Sequence, residues 1–241
     1  MDNTISVGMN RTGLDMAPLS KGPMIEFAQQ ESPTQAPGDA QALDEMRRTY
    51  ALEADRVGTV PPPARLKGMA TTMMDTLKGN RPQVLIDKLG ERLAYERTGV
   101  RLYQAMIVKA SAASSGPVVD PAALARIRDD EEAHFHMVAK FLQQIGADPT
   151  AMTPCADVTG VAAAGHLQVL TDPRTTVSQA LNSILMVELG DNAGWDLLIE
   201  LARESGHEEM VQAFTVALET ERVHLETVKG WLRQAVLEEA T

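Results

Sequence analysis

The chain of 241 residues has a single cysteine, Cys155, so no disulfide can close within it and no CxxC metal or redox motif exists. That usage predicts a reducing, cytoplasmic setting. Aromatic residues make up only 4%, and β-branched runs bounded by turn residues are few, which disfavours a sheet protein. No run of 18 apolar residues occurs, so no membrane span is expected. Met1-Asp2-Asn3-Thr4 lacks a basic stretch followed by an apolar one, so no secretory signal is expected, and the Asn10-Arg11-Thr12 sequon carries little weight. Basic residues are outnumbered, 22 Lys and Arg against 33 Asp and Glu, for a formal net charge of −11. Nucleic acid, whose phosphates need the opposite balance, is not an expected partner, whereas cations would be attracted.

Hydrophobic residues reach 44%, enough for a real core. Ala, Leu, Glu, Gln, Met and Arg dominate the second half, which favours helix and predicts an all-α fold. The first sixty residues read as a tail punctuated by Gly22-Pro23, Ser32-Pro33, Pro37-Gly38 and Pro61-Pro62-Pro63, with one short helix over about 40–55. Leu66, Met69, Ala70, Met73, Met74 and Leu77 recur at helical spacing over 64–78, as in a short helix packed on the main domain. A partner-binding or membrane-surface helix is the sharper alternative, supported by Lys67 and Lys78. Residues 1–80 are therefore read as a largely irregular N-terminal extension with one or two short helices, and 81–241 as the main domain.

From Pro82 four long helices are predicted. The first covers about 82–112 and ends before Ser114-Ser115-Gly116-Pro117. The second starts at Asp120-Pro121, an N-cap followed by proline in the first turn, and stops at Gly146. The third covers about 176–204 and stops at Gly206, and the fourth covers about 208–238. Short links make hairpins of the first and last pairs, while the link over 147–175 is a long crossover.

Steps of three and four along each helix trace the stripe that faces the core. They give Ile86, Leu89, Leu93, Glu96, Val100, Tyr103 and Ile107, then Leu124, Ile127, Glu131, His134, Val138, Phe141 and Ile145. The third and fourth helices give Leu181, Ile184, Glu188, Asp191, Trp195, Leu198 and Ala202, then Met210, Phe214, Ala217, Glu221, His224, Val228 and Trp231. Each stripe is apolar except at its middle. An unpaired buried carboxylate costs several kcal/mol, and five at one level repel one another. The stripes themselves carry no Lys or Arg, so two divalent cations are the expected compensation. Glu131 with His134 and Glu221 with His224 stand at i and i+3, where both can address one ion. Glu96 and Glu188 each precede such a pair, so a pseudo-twofold site is predicted with one histidine per metal and bridging carboxylates. Glu132, His136, Glu219 and Glu226 fall off the stripes and read as solvated or outer groups, His166 and His207 as residues of connections, and Met106, Met137 and Met186 as packing.

With Glu96, Glu131-Glu132-Ala133-His134, Glu188 and Glu221-Arg222-Val223-His224, residues 82–238 resemble the ferritin-like di-iron carboxylate superfamily, in its rubrerythrin-type and ferritin-type members. The resemblance implies a ferritin-like four-helix bundle with a long crossover between its second and third helices. Tyr103, seven residues after Glu96, and Asp191, three after Glu188, are similar to the rubrerythrin pattern, in which the extra carboxylate exchanges with histidine as iron changes oxidation state. The four cysteines of a rubredoxin domain are missing, so electrons would come from a separate, unknown donor. The 1–80 extension is outside the family pattern.

The resemblance further implies two Fe ions that react with O2 or H2O2, as a ferroxidase or a peroxidase. Tyr103, one heptad beyond Glu96, and Trp195, one turn beyond Asp191, are placed either to hydrogen-bond a ligand or relay an electron, or to serve as plain core aromatics. Manganese suits the same oxygen and nitrogen donors. A homodimer is compatible with such a bundle. Two alternatives stand beside this reading: a di-metal oxygenase acting on an organic substrate, and a non-enzymatic helical interaction module whose metal only stabilises the fold.

Overall fold

The computed structural model describes residues 17–30, 40–60, 81–113 and 119–240. Among them the chain is all-α, with seven helices and no strand. Two are short, α1 (Lys21–Gln30) and α2 (Ala40–Glu53), and neither buries a residue. Then come α3 (Pro82–Ala112), α4 (Pro121–Gln144), α5 (Pro154–Thr171), α6 (Val177–Glu204) and α7 (Glu208–Glu239). Helices α1 and α2 belong to one compact unit and the chain from Val57 onward to another. The amphipathic 64–78 stretch lies outside the described residues.

The helix ends follow from local chemistry. The Asp120 side chain accepts the Ala122 N–H at 2.9 Å, and Pro121 occupies the first turn, where an N–H has no intrahelical partner. Thr176 and Gln179 close a reciprocal capping box on α6. Gly146 and Gly206 take φ of +84° and +75°, the left-handed turn that lets Ala147 and His207 donate back to the carbonyls of Leu142 and Ala202. Helix α1 was not expected, because Gly22-Pro23 reads as punctuation. Both residues sit in its first turn, where a proline costs no hydrogen bond.

Helix α5 is the other addition, lying within the predicted 147–175 crossover. Its Gly160 and Gly165 weaken the helical signal, but Thr153 caps it and Pro154 starts it. It is fastened to α3 at both ends. Asp87 accepts the Cys155 N–H at 2.8 Å, and Lys109 Nζ donates to the carbonyls of Asp172 and Thr175 at 2.8 and 2.9 Å. Helix α5 therefore runs parallel to α3, and returns the chain so that α6 starts where α4 does.

Helices α3, α4, α6 and α7 enclose the core, which forms two apolar clusters. One joins Leu85, Leu89, Leu93, Val138, Phe141, Trp195, Leu198 and Phe214. The other joins Leu102, Tyr103, Met106, Leu124, Ile127, Leu181, Ile184 and Val228. On α3 the buried surface is wider than a single stripe, because α4, α5 and α6 all pack on it, and it takes in Arg92, Gly99, Leu102 and Met106. Met106 packs as expected and Met137 partly, but Met186 is 60% exposed on the outer side of α6.

Candidate metal centre

Between the two apolar clusters lies a layer of charged side chains. Glu96 comes from α3, Glu131 and His134 from α4, Glu188 and Asp191 from α6, and Glu221 and His224 from α7, and all seven are buried. Ligand atoms of Glu131, Glu188, Glu221 and His224 lie within 4.8 Å of one another. So do those of Glu96, His134 and Glu221, and those of Glu96, Glu131, Asp191 and Glu221. Glu221 belongs to all three groups, Glu96 and Glu131 to two each, and each histidine to one. Each of these groups has the donors and spacing to hold a metal ion.

Each outer glutamate is held by one oxygen and leaves the other bare. Arg92 Nη1 donates to Glu96 Oε1 at 3.1 Å, and the Tyr103 hydroxyl donates to Glu188 Oε1. Glu96 Oε2, Glu188 Oε2 and Asp191 Oδ1 have no hydrogen-bond partner, and neither do Glu221 Oε1 and His134 Nδ1. These last two atoms approach to 2.7 Å without hydrogen-bond alignment. His224 Nδ1 lies 2.9 Å from Glu221 Oε2, and its Nε2 lies 3.1 Å from Asp130 Oδ2. Asp130 thereby fixes the ring with one nitrogen turned inward, the outer carboxylate–histidine pairing common at metal sites. Asn192 braces the backbone by donating to the carbonyls of Glu188 and Glu221.

The electrostatics are those of crowded carboxylates. Burial, then the charges of Glu221, Glu96 and Glu188, push Glu131 well above the usual carboxylate range. Burial and Glu221 push Glu188 up to about 8. Burial opposes charge on His134, but Glu221 and Glu96 outweigh it and raise the ring to about 9. Burial would also raise Glu221, yet His134 and His224 hold it down at about 2.

All seven residues singled out from the stripes meet in this layer. Tyr103 reaches it through Glu188. Trp195 lines it edge-on to His134, with ring centroids 5.6 Å apart, and its buried Nε1 has no partner. Arg92 and Asp130 were missed. The expectation that no Lys or Arg compensates the layer is corrected by Arg92, which is 5% exposed and forms ion pairs with Glu96 and Asp191. It lies one residue off the stripe, on the second buried face of α3. Its signal was the i,i+4 spacing to Glu96. Asp130 precedes Glu131 and carried no periodic signal.

Comparison with known protein families, curated proteins and solved structures finds no match to this chain.

Proposed function

We propose that this chain is a ferritin-like di-metal carboxylate protein that binds two iron ions and reacts with O2 or H2O2, as a ferroxidase or a rubrerythrin-like peroxidase. The observation that carries the reading is a group of bare donor atoms, Glu96 Oε2, Glu188 Oε2, Glu221 Oε1 and His134 Nδ1, converging from four helices in a buried layer. Buried polar atoms are ordinarily satisfied, and a cluster of unsatisfied carboxylate oxygens and imidazole nitrogen fits hard to borderline divalent cations. Glu96 and His134 would hold one ion, Glu188 and His224 the other, and Glu131 and Glu221 would bridge them. When bound, two ferrous ions would supply one electron each to the oxidant, and a separate electron donor would have to return the ferric pair to the ferrous state.

The chain's own residues set the conditions for that chemistry. Tyr103 fixes Glu188 so that one oxygen faces inward, and Asp130 orients His224. The apolar clusters on either side keep bulk water from the layer. The unpartnered Trp195 N–H remains a donor for an incoming oxygen. The test is metal content by mass spectrometry after anaerobic reconstitution with Fe(II), followed by O2 or H2O2 while absorbance is recorded. Wild type should hold about two irons per chain and develop a near-ultraviolet band on oxidation. Glu131→Ala and Glu221→Ala, which remove the shared carboxylates, should lose both. The faster oxidant separates ferroxidase from peroxidase, and unchanged variants with no stoichiometric metal would sink the reading.

Oxidation of an organic substrate is a second reading, favoured by one observation. A groove of about 510 Å3 runs between α4 and α7, lined by Ile127, Val216 and Val223, and reaches His224 and Asp130. Small alcohols and fatty acids titrated into Co(II)-loaded protein should shift its visible spectrum if this groove is a substrate site. Val223→Trp, which fills the groove, should abolish that shift while leaving the metal count unchanged. No shift with any compound would leave only the small oxidants.

A further inference from the structure

We propose that Arg92 is a built-in third cation of this centre, and that Asp191 holds Arg92 rather than a metal ion. The inference rests on the di-metal reading and refines its ligand set to Glu96, Glu131, His134, Glu188, Glu221 and His224. Arg92 is buried at the same level as the carboxylates, and its place is built by α3 and α6 together. Nη1 contacts Glu96 Oε1 and pairs with Asp191 Oδ1, while Nη2 donates to the Asp191 carbonyl at 3.4 Å. The guanidinium carbon lies 4.9 Å from the ring centroids of both Tyr95 and Trp195. On α6, Gly194 leaves the space that the guanidinium fills, since a Cβ there would collide with Nη2.

Charge balance points the same way. Five carboxylates meet in the layer. Two divalent ions leave one negative charge over, and Arg92 neutralises it with both histidines neutral. Asp191 and Glu188 sit one turn apart on α6, and each has a buried oxygen without a hydrogen bond, yet their surroundings differ. Tyr103 donates to the other oxygen of Glu188, whereas the Asp191 oxygen itself lies in ion-pair contact with Arg92, which also donates to the Asp191 carbonyl. Arg92 is thus a positioning residue. It gives Glu96 a single free oxygen, and its positive charge weakens the layer's hold on metal.

The expected consequence is unusual in sign, because removing a residue beside the ligands tightens metal binding. Co(II) titrated into the metal-free full chain, followed by visible absorbance, should give two ions per chain in wild type and two in Asp191→Asn. In Arg92→Met, loss of a positive charge near two divalent ions and release of Asp191 should tighten Co(II) binding by at least about tenfold. Adding Asp191→Asn to Arg92→Met should cancel most of that gain. Thermal melts of the metal-free proteins should show Arg92→Met least stable and the double variant partly recovered, since removing both partners costs less than orphaning one. A purely structural arginine would lower stability without tightening Co(II) binding. One Co(II) instead of two in Asp191→Asn, or weaker binding in Arg92→Met, overturns the role given to Arg92. Should Arg92→Met not fold, Asp191→Asn alone decides. Failure of the di-metal reading looks different, because wild type itself would then take up no Co(II).

Discussion

Replacing Gly99 with alanine should abolish most metal loading in a protein that keeps its helices. Gly99 faces α4 from the middle of α3, and a Cβ there would collide with the Oε2 and Cδ atoms of Glu131 and lie 3.3 Å from its Cγ. Glu131 is one of the two carboxylates proposed to be shared by the two cations, so displacing it should disturb both. In an exposed helix the same change would stabilise by about 1 kcal/mol, so a loss cannot come from helix propensity. The expected result is an unchanged far-ultraviolet circular dichroism spectrum, fewer than one Fe(II) or Co(II) per chain, and loss of the thermal stabilisation that metal confers. Gly230→Ala is the control. Nothing lies within 4 Å of a Cβ at that position on α7, so it should retain full loading. Full loading of Gly99→Ala would remove Glu131 from the proposed ligand set.

The stability of the metal-free and metal-loaded proteins should diverge as pH rises. Glu188 is raised from 4.5 to about 8 on folding, and such a carboxyl contributes stability below its unfolded value that is lost as pH climbs through its folded one. His134, raised from 6.5 to about 9, likewise contributes below 6.5 and loses its contribution through about 9. Glu221 acts in the opposite direction. Held down from 4.5 to about 2, it contributes above 4.5, and that contribution disappears as pH falls toward 2. The metal-free protein should therefore be most stable near pH 4.5, with its Tm falling from there to about pH 9 as first Glu188 and then, above 6.5, His134 lose their contributions. Metal binding requires the glutamates ionised and the histidines neutral, so it releases protons, and affinity should rise about tenfold per pH unit for each proton released. Melts with and without Mn(II), which avoids oxidation, should separate progressively with pH. Parallel curves would count against the proposed ligands.

The long helices were legible because their signals are redundant. Asp120-Pro121, Thr176, Gly146 and Gly206 mark ends that the 3.6-residue period already implies. The charged layer was legible for the opposite reason: Glu96, Glu131, Glu188 and Glu221 break apolar stripes that are otherwise complete. What escaped was whatever depends on a second neighbour. A single stripe describes a helix packed on one side, but α3 is covered by α4, α5 and α6, and Arg92 belongs to its additional face. Helix α5 escaped because its sequence is apolar almost all round, so its period is faint, and its fastening to Asp87 and Lys109 is tertiary. Asp130 reaches the layer only through the far nitrogen of His224, a relation that no spacing along one helix encodes.

The separation of the core into two apolar clusters by one charged layer also bears on how the helices find their axial register. Apolar stripes alone are permissive, since a helix slid along its neighbours by one turn, about 5.4 Å, still meets leucine, valine and isoleucine. Here such a slip of α3 would carry Glu96 out of the shared layer and into an apolar cluster, and would part Arg92 from Asp191. The same slip of α7 would carry Glu221 to the apolar level of Ala217 and Leu218, or in the other direction His224 to that of Val228. Each wrong alignment buries an uncompensated charge, at a cost of several kcal/mol. The residues proposed to hold the metals therefore also act as a vernier for folding, with one setting at which all four helices agree.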